Sequence, residues 1–152
     1  MREGFPDAAD RITAIAMGYG LLGQLLSGAV GRCFTFHRTN IRARGFKRIM
    51  ELLAGRHPEM PTFVCEISGS DKRTVRDERM KDFKGADFAA VLCNVHICQE
   101  GVDIAAADAV MICDPRSHIA VLLQIAGRAM RCQSAQVTMG SVAASGESRF
   151  SR

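Results

Sequence analysis

Residues 33–67 read CFTFHRTNIRARGFKRIMELLAGRHPEMPTFVCEI. Cys33–Phe36 and Thr62–Ile67 are short runs of aromatic, β-branched and Cys residues, apolar on both faces, as strands covered from both sides are. Between them Asn40–Ala54 is charged and of helix length, and Gly55 to Pro61 breaks it. Strand, helix, strand is a βαβ unit. Neighbouring parallel strands need such a crossover, so this stretch predicts a parallel sheet.

The pattern continues downstream. Phe88–Cys93 and Val110–Cys113 are two further predicted strands, and Asp71–Phe83 and Ser117–Arg131 two further predicted helices. Gly85 punctuates one helix, and Asp114-Pro115 ends a strand just before Ser117, a good N-cap residue. The fold class is therefore α/β, with helices on both faces of a mainly parallel sheet. Upstream, Ile12–Val30 carries no charge, but Thr13, Tyr19, Gln24, Ser27 and four glycines keep its hydropathy low. It reads as a packed helix and not as a membrane span. Residues 1–10 read as a loose leader, and 134–152 as a small, polar tail that is either disordered or holds one weak strand near Val137. The expected organisation is 1–30 leader and helix, 31–133 domain, 134–152 tail.

A length of 152 residues allows one domain with a core, and 47% hydrophobic with 24% charged residues excludes extensive disorder. A net charge of +4 permits a polyanionic partner without requiring one. Of six cysteines, Cys33, Cys65, Cys93 and Cys113 lie inside apolar runs, and no C-x-x-C occurs. That excludes the usual zinc spacings and points to reduced, buried thiols in an intracellular compartment, cytoplasmic or nuclear.

Two segments carry polar groups in positions suited to chemistry. On the last predicted helix Gln124, Gly127, Arg128 and Arg131 share one arc, opposite Ile119, Leu122, Leu123, Ile125, Ala126, Ala129 and Met130. A mid-helix glycine costs about 1 kcal/mol against alanine, so Gly127 on the polar arc implies a close approach there. By itself such a helix is more often a solvated face. The second segment follows Cys93-Asn94, where the chain runs through Gly101-Val102-Asp103 beyond the carboxyl end of a strand, the place where open α/β sheets bind ligands.

Together the two segments are specific. Asn94 to Asp103 resembles motif V of superfamily-two helicases of the DEAD/DEAH type, and Gln124 to Arg131 resembles motif VI, Q-x-x-G-R-x-x-R. Arg32-Cys-Phe-Thr-Phe36-His37 is similar to motif IV, and Ile67-Ser68-Gly69 with Arg79 to Phe83 is similar to the segment after it. The resemblance covers about residues 30–132 in the expected order and departs from the family pattern at Ala105, usually proline, and Asn94, more often Ser or Thr.

This resemblance implies a three-layer RecA-like (P-loop NTPase-like) fold and the second, C-terminal motor domain of an ATP-dependent helicase or translocase. Arg128 and Arg131 would be arginine fingers to the phosphates of ATP. Gln124 would order that contact, and Asp103 would touch the ribose or tie the cleft shut, with Gly101 giving the clearance. His37, Arg38 and Asn94 would line the nucleic-acid backbone, holding it without reading sequence. ATP and Mg²⁺ would be held mainly by a first RecA-like domain: no G-x-x-x-x-G-K-[ST] loop and no strand-linked acidic pair occurs in these 152 residues, and no metal site of the chain's own is expected. The partners implied are nucleic acid, DNA or RNA, and that first domain, with no membrane.

A second reading is a non-catalytic, degenerate RecA-like module that binds nucleic acid or a protein, favoured slightly by Ala105 and the weak C-terminal pattern. A third, a small-molecule sensor, lacks a Gly-rich phosphate loop after its first strand. The basic run Arg42, Arg44, Lys47 and Arg48 reads as a solvated helix face.

Overall fold

In the computed structural model, residues 5–95 and 107–114 and the backbone of 136–139 are described. The elements are α1 (Ala8–Leu26), β1 (Arg32–Phe36), α2 (Asn40–Ala54), β2 (Thr62–Ile67), α3 (Arg73–Gly85), β3 (Ala89–Asn94), β4 (Ala109–Ile112) and β5 (Gln136–Met139). All five strands are parallel, in the order β2-β3-β1-β4-β5. The three-layer α/β architecture of a RecA-like domain is thereby established.

Alternation along the strands divides the core in two. Cys33, Val91 and Ala109 are in register, as are Cys93 and Met111 either side of Thr35, and these residues face α1 and α2. Phe34, Leu92 and Val110, with Phe36 and Ile112, face the opposite way, where Met80 and Phe83 of α3 pack. The Phe34 and Phe83 rings lie 5.0 Å apart, and both residues are fully buried. The helices sit where right-handed crossovers require. From β1 to β2 the chain moves two strands toward one edge with α2 on one face, and from β2 to β3 it moves back with α3 on the other.

One difference from the sequence reading has a simple cause. The leader is shorter than residues 1–10, because Asp7 caps α1 by accepting the Asp10 N–H at 2.7 Å. This helix ends at Leu26, where Gly28, at φ +72°, supplies a left-handed turn. The weak final strand near Val137 is β5, which pairs in parallel with β4 and carries the sheet past residue 133.

Helices α1 and α2 lie side by side and run in the same direction. Asp10 meets Arg42, and Gly18 meets Ile49, Met50 and Leu53. A Cβ on Gly18 would stand 3.0 Å from Ile49 Cγ2 and 3.1 Å from Leu53 Cδ1, so the glycine sets how closely the helices approach. Among the described residues no helix is long and apolar enough to cross a membrane.

Candidate functional site

The carboxyl ends of the parallel strands form one edge of the molecule, and β1 to β4 each end in or are closely followed by a polar residue. After β1 come His37 and Arg38, after β2 Ser68, at the end of β3 Asn94, and after β4 Asp114. Of the sequence-predicted contacts to nucleic acid, Arg38 is exposed, whereas His37 is 1% and Asn94 3% exposed.

The period of two explains the burial of His37. It continues the row Cys33, Thr35, His37, which faces α2. Its Nε2 is 2.9 Å from Thr35 Oγ1, and its ring stacks obliquely 5.1 Å from that of Phe46. Asn94 is in register with Phe36 and Ile67 and so belongs to the opposite face. The structure therefore does not bring the two side chains together. Their backbones meet instead, the His37 N–H donating to the Asn94 carbonyl at 2.8 Å.

Asp114 organises this edge, a role that the sequence did not reveal. It is 3% exposed, and its Oδ2 accepts the Arg38 backbone N–H at 2.7 Å while lying 4.0 Å from His37 Nδ1. Its Oδ1 accepts from Arg42 of α2, whose guanidinium also pairs with Asp10 at the start of α1. Arg42, read from sequence as part of a solvated face, is instead an ion-pair hub between three elements, because its partners stand 32 and 72 residues away. Along the same helix Arg44 pairs with Glu66 and Lys47 with Glu51. The only sequence signal for Asp114 was its place directly after a strand.

The end of β2 is built locally. The Ser68 N–H donates to Asp71 Oδ2 at 2.8 Å, Ser68 and Ser70 hydroxyls are 2.8 Å apart, and Arg79 donates to the Glu66 carbonyl and to Asp71. These bonds tie α3 to β2 and place two hydroxyls on the same edge as Arg38. Among the described residues no group of three or more His, Cys, Asp or Glu is arranged to hold a metal ion. Cys33, Cys65 and Cys93 are free and buried, and burial pushes all three thiols up, to about 12 for Cys65 and Cys93. They are inert apolar fillers, as their place in apolar runs implied. The predicted nucleotide-facing residues Gly101, Asp103, Gln124, Arg128 and Arg131 lie outside the described residues.

Known proteins resemble the chain in this layout. Residues 19–133 match the model of the helicase conserved C-terminal domain. A probable ATP-dependent RNA helicase, Dbp73D of Drosophila melanogaster, is 31% identical over 70 residues, covering 46% of this chain and 10% of that protein. A 51.5 kDa protein of a Lactococcus phage is 26% identical over 115 residues, 74% of this chain and 25% of that one. The chain thus spans a quarter or less of these relatives. Among solved structures, domain 2 of the DEAD-box helicase Mss116p bound to an RNA duplex superposes with a TM-score of 0.64 at 18% identity, covering 86% of this chain and 50% of that one. The C-terminal part of the Fun30 ATPase domain gives 0.60 at 17% identity, covering 83% and 40%. At these identities the structures speak for the fold, and the family match speaks for descent. The chain belongs to the helicase conserved C-terminal domain family.

Proposed function

We propose that this chain is the second motor domain of an ATP-dependent nucleic-acid helicase or translocase. The observation that carries the reading is the carboxyl edge, where Arg38 stands exposed on a turn that Asp114 and Arg42 hold in place. A fixed cation at strand ends suits the sugar–phosphate backbone, a repeating anion that is held without reading bases. Of the three candidates, Arg38 would reach the strand, with His37 and Asn94 supporting its turn from beneath. Ser68 and Ser70 add hydroxyls able to donate to phosphate oxygens.

On the nucleotide side, Arg128 and Arg131 would neutralise charge on the phosphates of ATP, with Gln124, Gly101 and Asp103 closing the cleft. Mg²⁺ and the triphosphate would sit mainly on a first RecA-like domain, since this sequence has no phosphate loop.

The test joins this domain to a nucleotide-binding first domain and measures ATP turnover with and without single-stranded nucleic acid. Stimulated turnover that requires both halves supports the motor reading. Nucleic-acid binding with no turnover in the joined protein would favour the degenerate binding module instead.

A further inference from the structure

The face of α1 and α2 that points away from the sheet is unusual for a solvated layer. Between the two parallel helices runs a valley of about 180 Å³, walled by Ile15 and Tyr19 of α1 and by Leu52 and Leu53 of α2. Three of these are well exposed, Ile15 at 37%, Tyr19 at 51% and Leu52 at 54%. Singly exposed apolar residues are ordinary, but three of them lining one concavity mark a binding surface.

The charge around the valley is one-sided. Arg11, Arg48 and Arg56 line it, and among the described residues no carboxylate does. Elsewhere on α2, Arg42, Arg44 and Lys47 each have a carboxylate partner, whereas Arg11 and Arg56 form no ion pair among the described residues. Arg11 and Arg56, two such cations beside an apolar trough, are complementary to a ligand that brings both anions and apolar side chains.

We propose that this valley is a docking groove for an acidic peptide segment of another protein, with two apolar anchors spaced to enter between the helices. Burying Leu52 and Tyr19 would supply the affinity, and the arginine rim would select an acidic partner and speed its approach. A nucleic-acid strand is a poorer fit, because its charge would meet the rim while leaving the aliphatic walls uncovered. The chain's own last thirteen residues, GSVAASGESRFSR, fit less well still, having two arginines against one glutamate.

The experiment uses the full 152-residue chain. The probe is a fluorescent synthetic peptide of about twelve residues, glutamate-rich, with two phenylalanines four positions apart to match one face of a helix. Saturable binding is expected, weakened about tenfold or more by Leu52→Glu and by replacing both phenylalanines with serine. Arg11→Glu combined with Arg56→Glu should weaken it comparably and flatten its salt dependence. If Leu52→Glu lowers the thermal midpoint, Tyr19→Ser together with Leu52→Ser takes its place. The proposal is overturned by no saturation up to about 1 mM peptide, or by equal binding of the serine peptide, which would leave only polyanion attraction. It is also overturned if a single-stranded oligonucleotide binds the valley with the same Leu52 dependence. Self-association of the free chain that Leu52→Glu abolishes would assign the valley to a second copy and likewise overturn it.

Discussion

The guanidinium of Arg42 and the carboxylate of Asp114 form an ion pair that joins α2 to the end of β4, and the second arm of the same guanidinium holds Asp10 of α1. Asp114 is almost wholly buried, so removing Arg42 leaves a carboxylate with the Arg38 N–H as its remaining close donor. Arg42→Ala should therefore cost about 2–3 kcal/mol, within the range for hydrogen bonds to buried charged groups. Urea unfolding of the variant and the parent checks it. A loss below about 0.5 kcal/mol, typical of surface pairs, would reduce the contact to an ornament of the surface.

Arg38 and His37 should part company on mutation. Arg38→Ala is expected to leave the melt unchanged, to weaken single-strand binding, and to lower the slope of log affinity against log salt by nearly one phosphate's worth, about 0.7. His37→Ala removes a buried ring packed on Phe46 and should cost stability of about 2–4 kcal/mol. Salt titrations at matched folded fractions separate the two.

Gly18 offers a test of the helix spacing. Alanine there would gain up to about 1 kcal/mol of helix propensity and spend much of it moving Ile49 and Leu53 by a few tenths of an ångström, so a change within about 1 kcal/mol is expected. Gly18→Val has nowhere to put its second methyl and should lose about 1–3 kcal/mol. Equal stability of all three proteins would mean that α1 stands off α2 in solution.

The buried thiols predict an alkaline limb. Unfolded cysteines ionise near 9.0, while Cys65 and Cys93 in the folded chain ionise near 12 and Cys33 is also pushed up. Below the unfolded value both states carry neutral thiols and the contribution is fully present. As pH rises from there toward 12 the unfolded chain gains charge first and stability is lost. Urea midpoints at about pH 8 and about pH 10.5 should fall accordingly, and Cys33→Ser, Cys65→Ser and Cys93→Ser together should shrink the fall. Thiol reagents at neutral pH should label these three at the rate of global opening.

Arg131 bears on the motor reading directly. In the two-domain protein Arg131→Ala is expected to lower ATP turnover by roughly two orders of magnitude or more while nucleic-acid affinity without ATP holds. The chain without a first domain should show no turnover above background. A variant with a normal melt and normal turnover would remove the arginine-finger role.

How far the sequence carried the fold is clearest in particular residues. Thr62–Ile67 and Asn40–Ala54 match observed elements residue for residue, because runs apolar on both faces and helix-length charged segments are local signals. Phe88, placed in a strand by its type, is 47% exposed and precedes β3, since aromatic character says nothing of where pairing begins. The burial of His37 is legible in the sequence: counting by twos from Cys33 puts it on the α2 face, where a polar residue needs an internal partner such as Thr35. The Asp10–Arg42–Asp114 cluster and the strand order were not legible, because both join segments far apart in sequence whose proximity only the assembled sheet creates.

The clamp at Asp114 also bears on how such a domain moves. One carboxylate grips the turn after β1, the first half of α2 and, through Arg42, the start of α1, so none of these pieces is free to shift alone. On the proposed reading, a nucleic-acid strand arriving at this edge would meet a surface already set, and little of the binding energy would go into local rearrangement. In the motor proposed above, the turn after β1 and the starts of α1 and α2 would then move together, as parts of one lever arm.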